Sequence, residues 1–522
     1  MNNATLRSRS RLDFMPLDSN HKDAQGVFWD VIIAGTGPGG AAAGYALRAP
    51  GRRILFLEKG PDLRNGDTLR GRFVEDFAGF RKLSDSERSR RLTRGGRMTE
   101  TIQDAVRGDR FVPQIGCGTG GSSVLWGMTM ERLFPSDFEN WPVSYRDMVP
   151  WYEAAERLFH VRGTPDPVRD EPAPHLLDPP PLSPANQAVF EHARAQGLHP
   201  YRLHLACERI PECAFCHGHL CSAPGACKAD ALSKCLEPAL AHEGNELLCG
   251  TTVTGLESEG RTVTRVHARH DDGTALRFRG RIVVLAVGAL STPRVLLNSG
   301  LANTSRLVGR CLMRHAIDLY VLRKAPRIEE HAVSNELGLN DFYCADGQKL
   351  GSIQSFGLPP PVDYVVNQPG FNMWRWMGPL AGPIARWFSR TPIIASVVSD
   401  GPDRDNGVDT SGSGWRIRYQ LGAADAARRQ SLRDLVQRTF RRFGPVRGGG
   451  TDDRKALGHV CGTCRFGDDS RTSVLDACNR AHDLDNLYVT DASFFPASGA
   501  VSPGLTIVAN ALRVAAHIGQ RL

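Results

Sequence analysis

With 522 residues, 41% of them hydrophobic, the chain can bury a sizeable core, and its length points to about two to four domains. The balance of 64 Lys+Arg against 56 Asp+Glu gives a net charge of +8, too mild and too dispersed for a nucleic-acid-binding protein. Residues 1–26 are polar and carry Arg7, Arg9 and Arg11 without an apolar run behind them, so the expectation is a cytoplasmic protein with neither secretory signal nor membrane anchor. In that compartment its thirteen cysteines are thiols or metal ligands before they are a disulfide framework.

The first informative stretch is Asp30 to Gly60. Val31, Ile32 and Ile33 form an apolar run suited to a buried parallel strand, and Gly35-Thr36-Gly37-Pro38-Gly39-Gly40 follows, fitting G-x-G-x-x-G through Gly35, Gly37 and Gly40. In such a turn the first glycine permits the sharp bend, the second lets backbone N–H groups approach a pyrophosphate, and the third lets the helix pack close to the strand. The small residues Ala41 to Ala43 continue as a helix whose N-terminus faces phosphate. Ile54 to Leu57 is a second strand, ending at Glu58, where a carboxylate can accept hydrogen bonds from both ribose hydroxyls of an adenine dinucleotide.

Arg81 to Arg97 holds seven basic residues and reads as a solvated helix and loop, or as a patch for an acidic partner or anionic acceptor. A second glycine-rich turn, Gly116 to Ser123, follows; its bare backbone around Gly120, Gly121 and Ser122 could lie against a flat cofactor ring or a pyrophosphate. Six of the cysteines, Cys207, Cys213, Cys216, Cys221, Cys227 and Cys235, fall close together with His217 and His219 among them. Cys213, Cys216, Cys221 and Cys227 admit an iron–sulfur cluster, zinc, a disulfide or plain reduced thiols. Trp374, Trp376 and Trp387, interleaved with Arg375 and Arg386, suit core packing, a hydrophobic lid, or contact with a membrane surface or quinone.

Gly120-Gly121-Ser122-Ser123 with Trp126-Gly127, then Gly288-Ala289-Leu290-Ser291-Thr292-Pro293 through Ser299-Gly300, then Gly462-Thr463-Cys464-Arg465, Asp491-Ala492-Ser493 and Pro503-Gly504-Leu505-Thr506 together resemble the glucose-methanol-choline (GMC) family of FAD-dependent oxidoreductases. The motifs fall at both ends and in the middle of the chain. The resemblance implies an α/β fold: a discontinuous FAD-binding, Rossmann-like domain of residues 27–140, 221–310 and 455–522, and a mostly antiparallel-sheet (α+β) substrate domain of 141–220 and 311–454. It implies oxidation of an alcohol, on a sugar, polyol or aminocyclitol-type molecule, by hydride transfer to flavin, with oxygen, a quinone or a redox protein as electron acceptor. It places the catalytic base at His459, an imidazole suited to take the hydroxyl proton. Ser502 stands where the family has a histidine or asparagine, and serine is no base near pH 7. That departure keeps two alternatives open: a non-oxidising flavoenzyme of lyase type, and an electron-transfer subunit with a cysteine-held cluster docking a partner. Asp491 is placed against the ribityl chain or pyrophosphate, Val253 against adenine, and Thr506 at the start of a helix whose positive end faces the flavin. Some relatives in the gluconate and glucose dehydrogenase branches carry an iron–sulfur cluster in the region of the cysteines.

Overall fold

The computed structural model describes residues 24–62, 64, 98–101, 106–108, 114–124, 126–172, 174–208, 228–327, 335–344, 349–356, 391–411, 414–447 and 459–522. The basic run 81–97, Cys213 to Cys227 and the aromatic stretch 371–388 lie outside them.

Strand β1 (Phe28–Ala34), helix α1 (Pro38–Leu47) and strand β2 (Ile54–Leu57) form the N-terminal unit. From Val31 onward β1 is buried at every residue, as is β2, which is why both read as unbroken apolar runs: a parallel strand covered on both faces has no polar side to present. They lie in a seven-stranded sheet. Its parallel part runs Leu487–Val489, Ala275–Leu285, β1, β2, Glu246–Leu248. The strand order therefore reverses between β1 and Ala275–Leu285, which opens a crevice at their C-terminal ends, the usual place for a dinucleotide. The strand Ala275–Leu285 carries two environments. Its first half alternates buried and exposed, in antiparallel pairing with Thr262–His270, and its second half is buried throughout, pairing with β1 on one side and Leu487–Val489 on the other.

The second sheet has six strands, all antiparallel, in the order Pro445–Arg447, Ala316–Leu322, Ile393–Val398, Ser352–Phe356, Leu337–Leu339, Tyr201–Arg202. Helix Ala423–Thr439 covers one face. Its Leu432 and Val436 pack with Ile353, Ile394 and Val398, while Arg429 and Arg433 each reach Asp318 at 2.8 Å. Helix Tyr145–Leu158 packs elsewhere, against the C-terminal helix Gly504–Gly519, with Tyr145, Met148 and Tyr152 in the same core as β1 and β2. An α/β sheet with added antiparallel sheets is thus the architecture. Among the described residues no helix is long and apolar enough to cross a membrane.

Candidate active site

The crevice at the end of β1 is built from two glycine turns. Gly35 has φ +93°, and a Cβ there would lie 2.4 Å from the carbonyl oxygen of Ala286, so the sharp turn against the neighbouring strand requires glycine. A Cβ on Gly40 would lie 2.0 Å from the carbonyl oxygen of Gly35, which sets how closely α1 packs. The second turn folds over the first: Gly121, at φ +54°, sits with its Cβ direction 2.8 Å from the Cα of Gly37. Around it, Gly120 N–H donates to Thr36 Oγ1 at 3.3 Å and the Ser122 hydroxyl accepts from Gly116 N–H at 3.3 Å. Ser123, the last residue of that turn, donates to Gly120 O at 2.6 Å and accepts from Ala231 N–H at 3.0 Å.

Glu58 is buried behind these turns. Its Oε2 accepts from Thr36 N–H at 3.1 Å and Thr36 Oγ1 at 2.6 Å, and its Oε1 accepts from Gly60 N–H at 2.9 Å and Gly118 N–H at 3.3 Å. A carboxylate offers about four acceptor positions, and here four donors reach it. The carboxylate expected to hold ribose hydroxyls thus also joins both turns to β2. Asp491 behaves alike. Its Oδ1 accepts from the N–H and hydroxyl of Ser493, and its Oδ2 from Gly288 N–H at 2.9 Å and from the Thr292 hydroxyl. Burial pushes its pKa up against those hydrogen bonds, and the side chain fastens the middle signature to the C-terminal one. Val253 lies in the strand Thr251–Glu259, at a bulge against Thr262–His270.

Helix α1 starts at Gly37 without a side-chain cap and without an acidic residue in its first turn; the same holds for Gly504–Gly519 at Pro503. Two helix N-termini therefore keep their first-turn N–H groups for another acceptor. Thr490 Oγ1, Asn510 Nδ2 and Trp126 Nε1 are buried with no hydrogen-bond partner among the described residues, and the Trp126 ring lies where a Cβ on Gly504 would come within 2.6 Å. Bare glycine turns, uncapped helix ends and unsatisfied buried donors fit a dinucleotide with a flat polar ring. Thr506 is inside the C-terminal helix, its Oγ1 2.9 Å from the hydroxyl of Tyr152.

His459 is reached from the other side. Cys461 and Met313 exchange both backbone hydrogen bonds, at 2.9 Å each, and two residues further along each segment His459 faces His315. Their Nδ1 atoms are 2.8 Å apart, with the rings at 82°. His459 has φ +53°, a left-handed conformation uncommon for a residue with a side chain and one that accumulates at functional sites. Burial, with the His315 ring beside it, pushes its pKa down to about 3, and burial pushes His315 to about 4 against the carbonyls of Ser498 and Gly499. Both rings are neutral near pH 7.

His315 Nε2 lies 3.1 Å from the Ser498 carbonyl oxygen, at the start of the loop that leads to Ser502 and Pro503. The six-stranded sheet holds that loop. Ser352 Oγ donates to Ala500 O at 2.6 Å, Ala500 N–H donates to the Tyr343 hydroxyl at 2.8 Å, and Ser498 Oγ exchanges hydrogen bonds with the backbone of Asp400 at 2.9 and 3.0 Å. Ser502 is half-buried at the loop's end. Among the described residues no group of three or more His, Cys, Asp or Glu is arranged to hold a metal. Cys207, Cys235, Cys461 and Cys464 are buried, and burial pushes the last three thiols up.

Residues 39–317 match the N-terminal model of GMC oxidoreductase and residues 416–511 the C-terminal one. The chain is 27% identical to 6'''-hydroxyparomomycin C oxidase of Streptomyces lividus over 97% of its own length and 95% of that protein's. It is 24% identical to 2-methyl-1,2-propanediol dehydrogenase of Mycolicibacterium austroafricanum, over 94% and 95%. Its fold is similar to the crystal structure of pyridoxine 4-oxidase from Mesorbium loti, with a TM-score of 0.67, 20% identity, and coverage of 94% and 99%. The reversal of strand order at β1, the two stacked glycine turns and the paired family models, the first of which alone spans more than half of the chain, have one meaning: this protein belongs to the GMC oxidoreductase family of flavin-dependent enzymes.

Proposed function

We propose that this protein oxidises an alcohol of a small polyhydroxylated or aminated molecule to the carbonyl, with His459 as the base that takes the hydroxyl proton. The observation that carries this reading is the half-buried His459 imidazole, held in a left-handed backbone conformation and linked through His315 to the loop that ends in Ser502. A neutral ring is the form that accepts a proton, and Ser502 can add one hydrogen bond to the substrate oxygen. Bound FAD supplies the two-electron acceptor for the hydride that leaves the carbinol carbon. On this reading Gly35, Gly37, Gly40, Gly120, Gly121 and Ser122 line the dinucleotide, Glu58 meets its ribose, Asp491 its ribityl chain or pyrophosphate, and both carboxylates also fix the turns around it. Val253 borders the adenine end and Thr506 the flavin end. The seven-stranded sheet supplies the flavin domain and the six-stranded sheet the substrate domain. Aminocyclitol-type hydroxyls are the substrate class supported first, because relatives sharing 27% of positions along nearly the whole chain are named as a 6'''-hydroxyparomomycin C oxidase and a paromamine 6'-oxidase.

The test is anaerobic mixing of the holoenzyme with paromamine, 2-methyl-1,2-propanediol and pyridoxine, following the flavin absorption band. Bleaching by one of them, lost in His459→Ala with FAD still bound, is the expected result. A flavin that stays oxidised with every alcohol would favour a non-oxidising reaction, the reading that Ser502 keeps alive. Unchanged bleaching in His459→Ala would remove that residue from the chemistry. Turnover in air compared with turnover on a quinone or a dye then identifies the acceptor.

A further inference from the structure

Two neutral imidazoles carry one N–H each, and their neighbours decide where each sits. The Ser498 carbonyl oxygen can only accept, so at 3.1 Å the His315 proton is on Nε2. His315 Nδ1 is then a lone pair, and its 2.8 Å contact with His459 Nδ1 requires the His459 proton to be on that atom. What remains on His459 is an Nε2 lone pair. We infer that His315 is a positioning residue that fixes His459 in its Nδ1–H tautomer through the chain Ser498 O, His315, His459, so that Nε2 is the atom that receives the substrate proton.

This rests on the reading of His459 as the base and adds to it the residue that orders the base. Three features make the chain a built one. His315 is 2% exposed, so no bulk water competes for its ring. The backbone pairing of Met313 with Cys461 brings the two histidines face to face, and Gly462, at φ +92°, approaches Cys311 O so closely that a Cβ would lie 2.5 Å away. The far end is fixed too, because the Ser498 hydroxyl is bonded to the Asp400 backbone. In the opposite tautomer the two Nδ1 lone pairs would confront each other at 2.8 Å, or His315 would abandon the Ser498 carbonyl and leave it unpaired in the interior. The same chain ties the base to the loop carrying Ser502, so base and substrate-oxygen contact move together. When Nε2 accepts the proton, balance requires nothing further: the alcohol loses a proton to Nε2 and a hydride to the flavin, and the ring holds the proton until it is released.

The experiment compares His315→Leu, which has no acceptor, with His315→Asn, whose amide oxygen stands near the place of Nδ1, in anaerobic stopped-flow reduction of the holoenzyme by an alcohol that bleaches the wild type. Expected are a limiting reduction rate lowered about tenfold or more in His315→Leu, an apparent substrate Kd within about twofold, full FAD content, and recovery of most of the rate in His315→Asn. A rate in His315→Leu within about twofold of wild type, or no recovery in His315→Asn, would overturn the assignment. Should His315→Leu fail to fold, 15N-histidine spectra of the wild-type holoenzyme decide, with the His459 signal identified by its loss in His459→Asn: an unprotonated Nε2 supports the chain and a protonated one refutes it. If His459→Ala itself still reduces the flavin, the failure is that of the parent reading, whereas an inactive His459→Ala beside a fully active His315→Leu condemns this inference alone.

Discussion

Glu58 Oε2 accepts both the backbone N–H and the hydroxyl of Thr36, at 3.1 and 2.6 Å, and so ties the middle of the first glycine turn to the end of β2. Thr36 Oγ1 in turn accepts from Gly120 N–H, which couples the second turn to the same carboxylate. Thr36→Val keeps the shape and removes both of these hydroxyl contacts. Hydrogen bonds to a charged group contribute about 1.5–3 kcal/mol, so FAD affinity is expected to fall roughly tenfold to a hundredfold. Titration of apoprotein with FAD, read by flavin fluorescence, measures it; an unchanged Kd would show that the clasp is not coupled to cofactor binding.

The stacking of Gly121 on Gly37 gives a second expectation. An added methyl at Gly121 would meet the Cα of Gly37 at 2.8 Å, and its φ of +54° disfavours any side chain. The conflict is backbone against backbone, so no rotamer relieves it. Gly121→Ala should therefore spread the two turns and lower FAD content in the purified protein. Gly197→Ala is a matched control: it also has positive φ, +76°, but nothing within 4 Å of the added methyl, so it should cost only about 1 kcal/mol of stability with FAD content unchanged. Equal FAD content in both variants would contradict the steric argument.

What could be read from the sequence was local chemistry. Gly35, Gly37, Gly40 and β2 were legible because strand, turn and helix follow one another within a short stretch, and each glycine answers a constraint set by near neighbours. The strand Ala275–Leu285 is legible only in its buried second half, because its first half alternates Arg277 and Arg279 with buried residues and so lacks an unbroken apolar run. The C-terminal helix begins at Gly504, two residues before the expected Thr506, because the apolar run is preceded by Pro503 in a helical conformation. His315 carried no sequence signal, since its importance arises from pairing with a segment more than a hundred residues away. The partners of Glu58 and Asp491 were hidden for the same reason: a carboxylate at a strand end announces a site, and only the fold shows which donors reach it.

Tyr152 and Thr506 offer a test of how the C-terminal helix is held. The two hydroxyls are 2.9 Å apart and both are buried, one on helix Tyr145–Leu158 and one in the first turn of Gly504–Gly519. Tyr152→Phe leaves the Thr506 hydroxyl without that partner, at a cost of about 1–2 kcal/mol. The double variant Tyr152→Phe, Thr506→Val removes both polar groups and should recover part of the loss, giving a nonzero coupling in a double-mutant cycle of urea unfolding. Strict additivity would mean that the two hydroxyls do not stabilise one another.

Asp400 provides the pH expectation. Burial, with the neighbouring Asp425 carboxylate adding to it, raises its pKa from 3.8 to about 7, against hydrogen bonds from the Tyr419 hydroxyl at 2.8 Å and from Arg314 N–H at 3.1 Å. Because the folded pKa lies above the unfolded one, the native protein keeps a proton that the unfolded chain releases. The contribution to stability is complete below about pH 4 and is lost as the pH rises toward 7, by on the order of 2–4 kcal/mol. Asp400→Asn preserves an oxygen for Arg314 N–H and the Tyr419 hydroxyl and removes the titration. The difference in stability between variant and wild type should therefore grow in favour of the variant from pH 4 to pH 7, amounting to a few degrees in Tm at neutral pH. Parallel Tm–pH curves for the two proteins would show that Asp400 titrates at its unfolded value. Since Asp400 also holds Ser498 by its backbone, which the substitution leaves intact, flavin reduction by substrate should change little in the same variant.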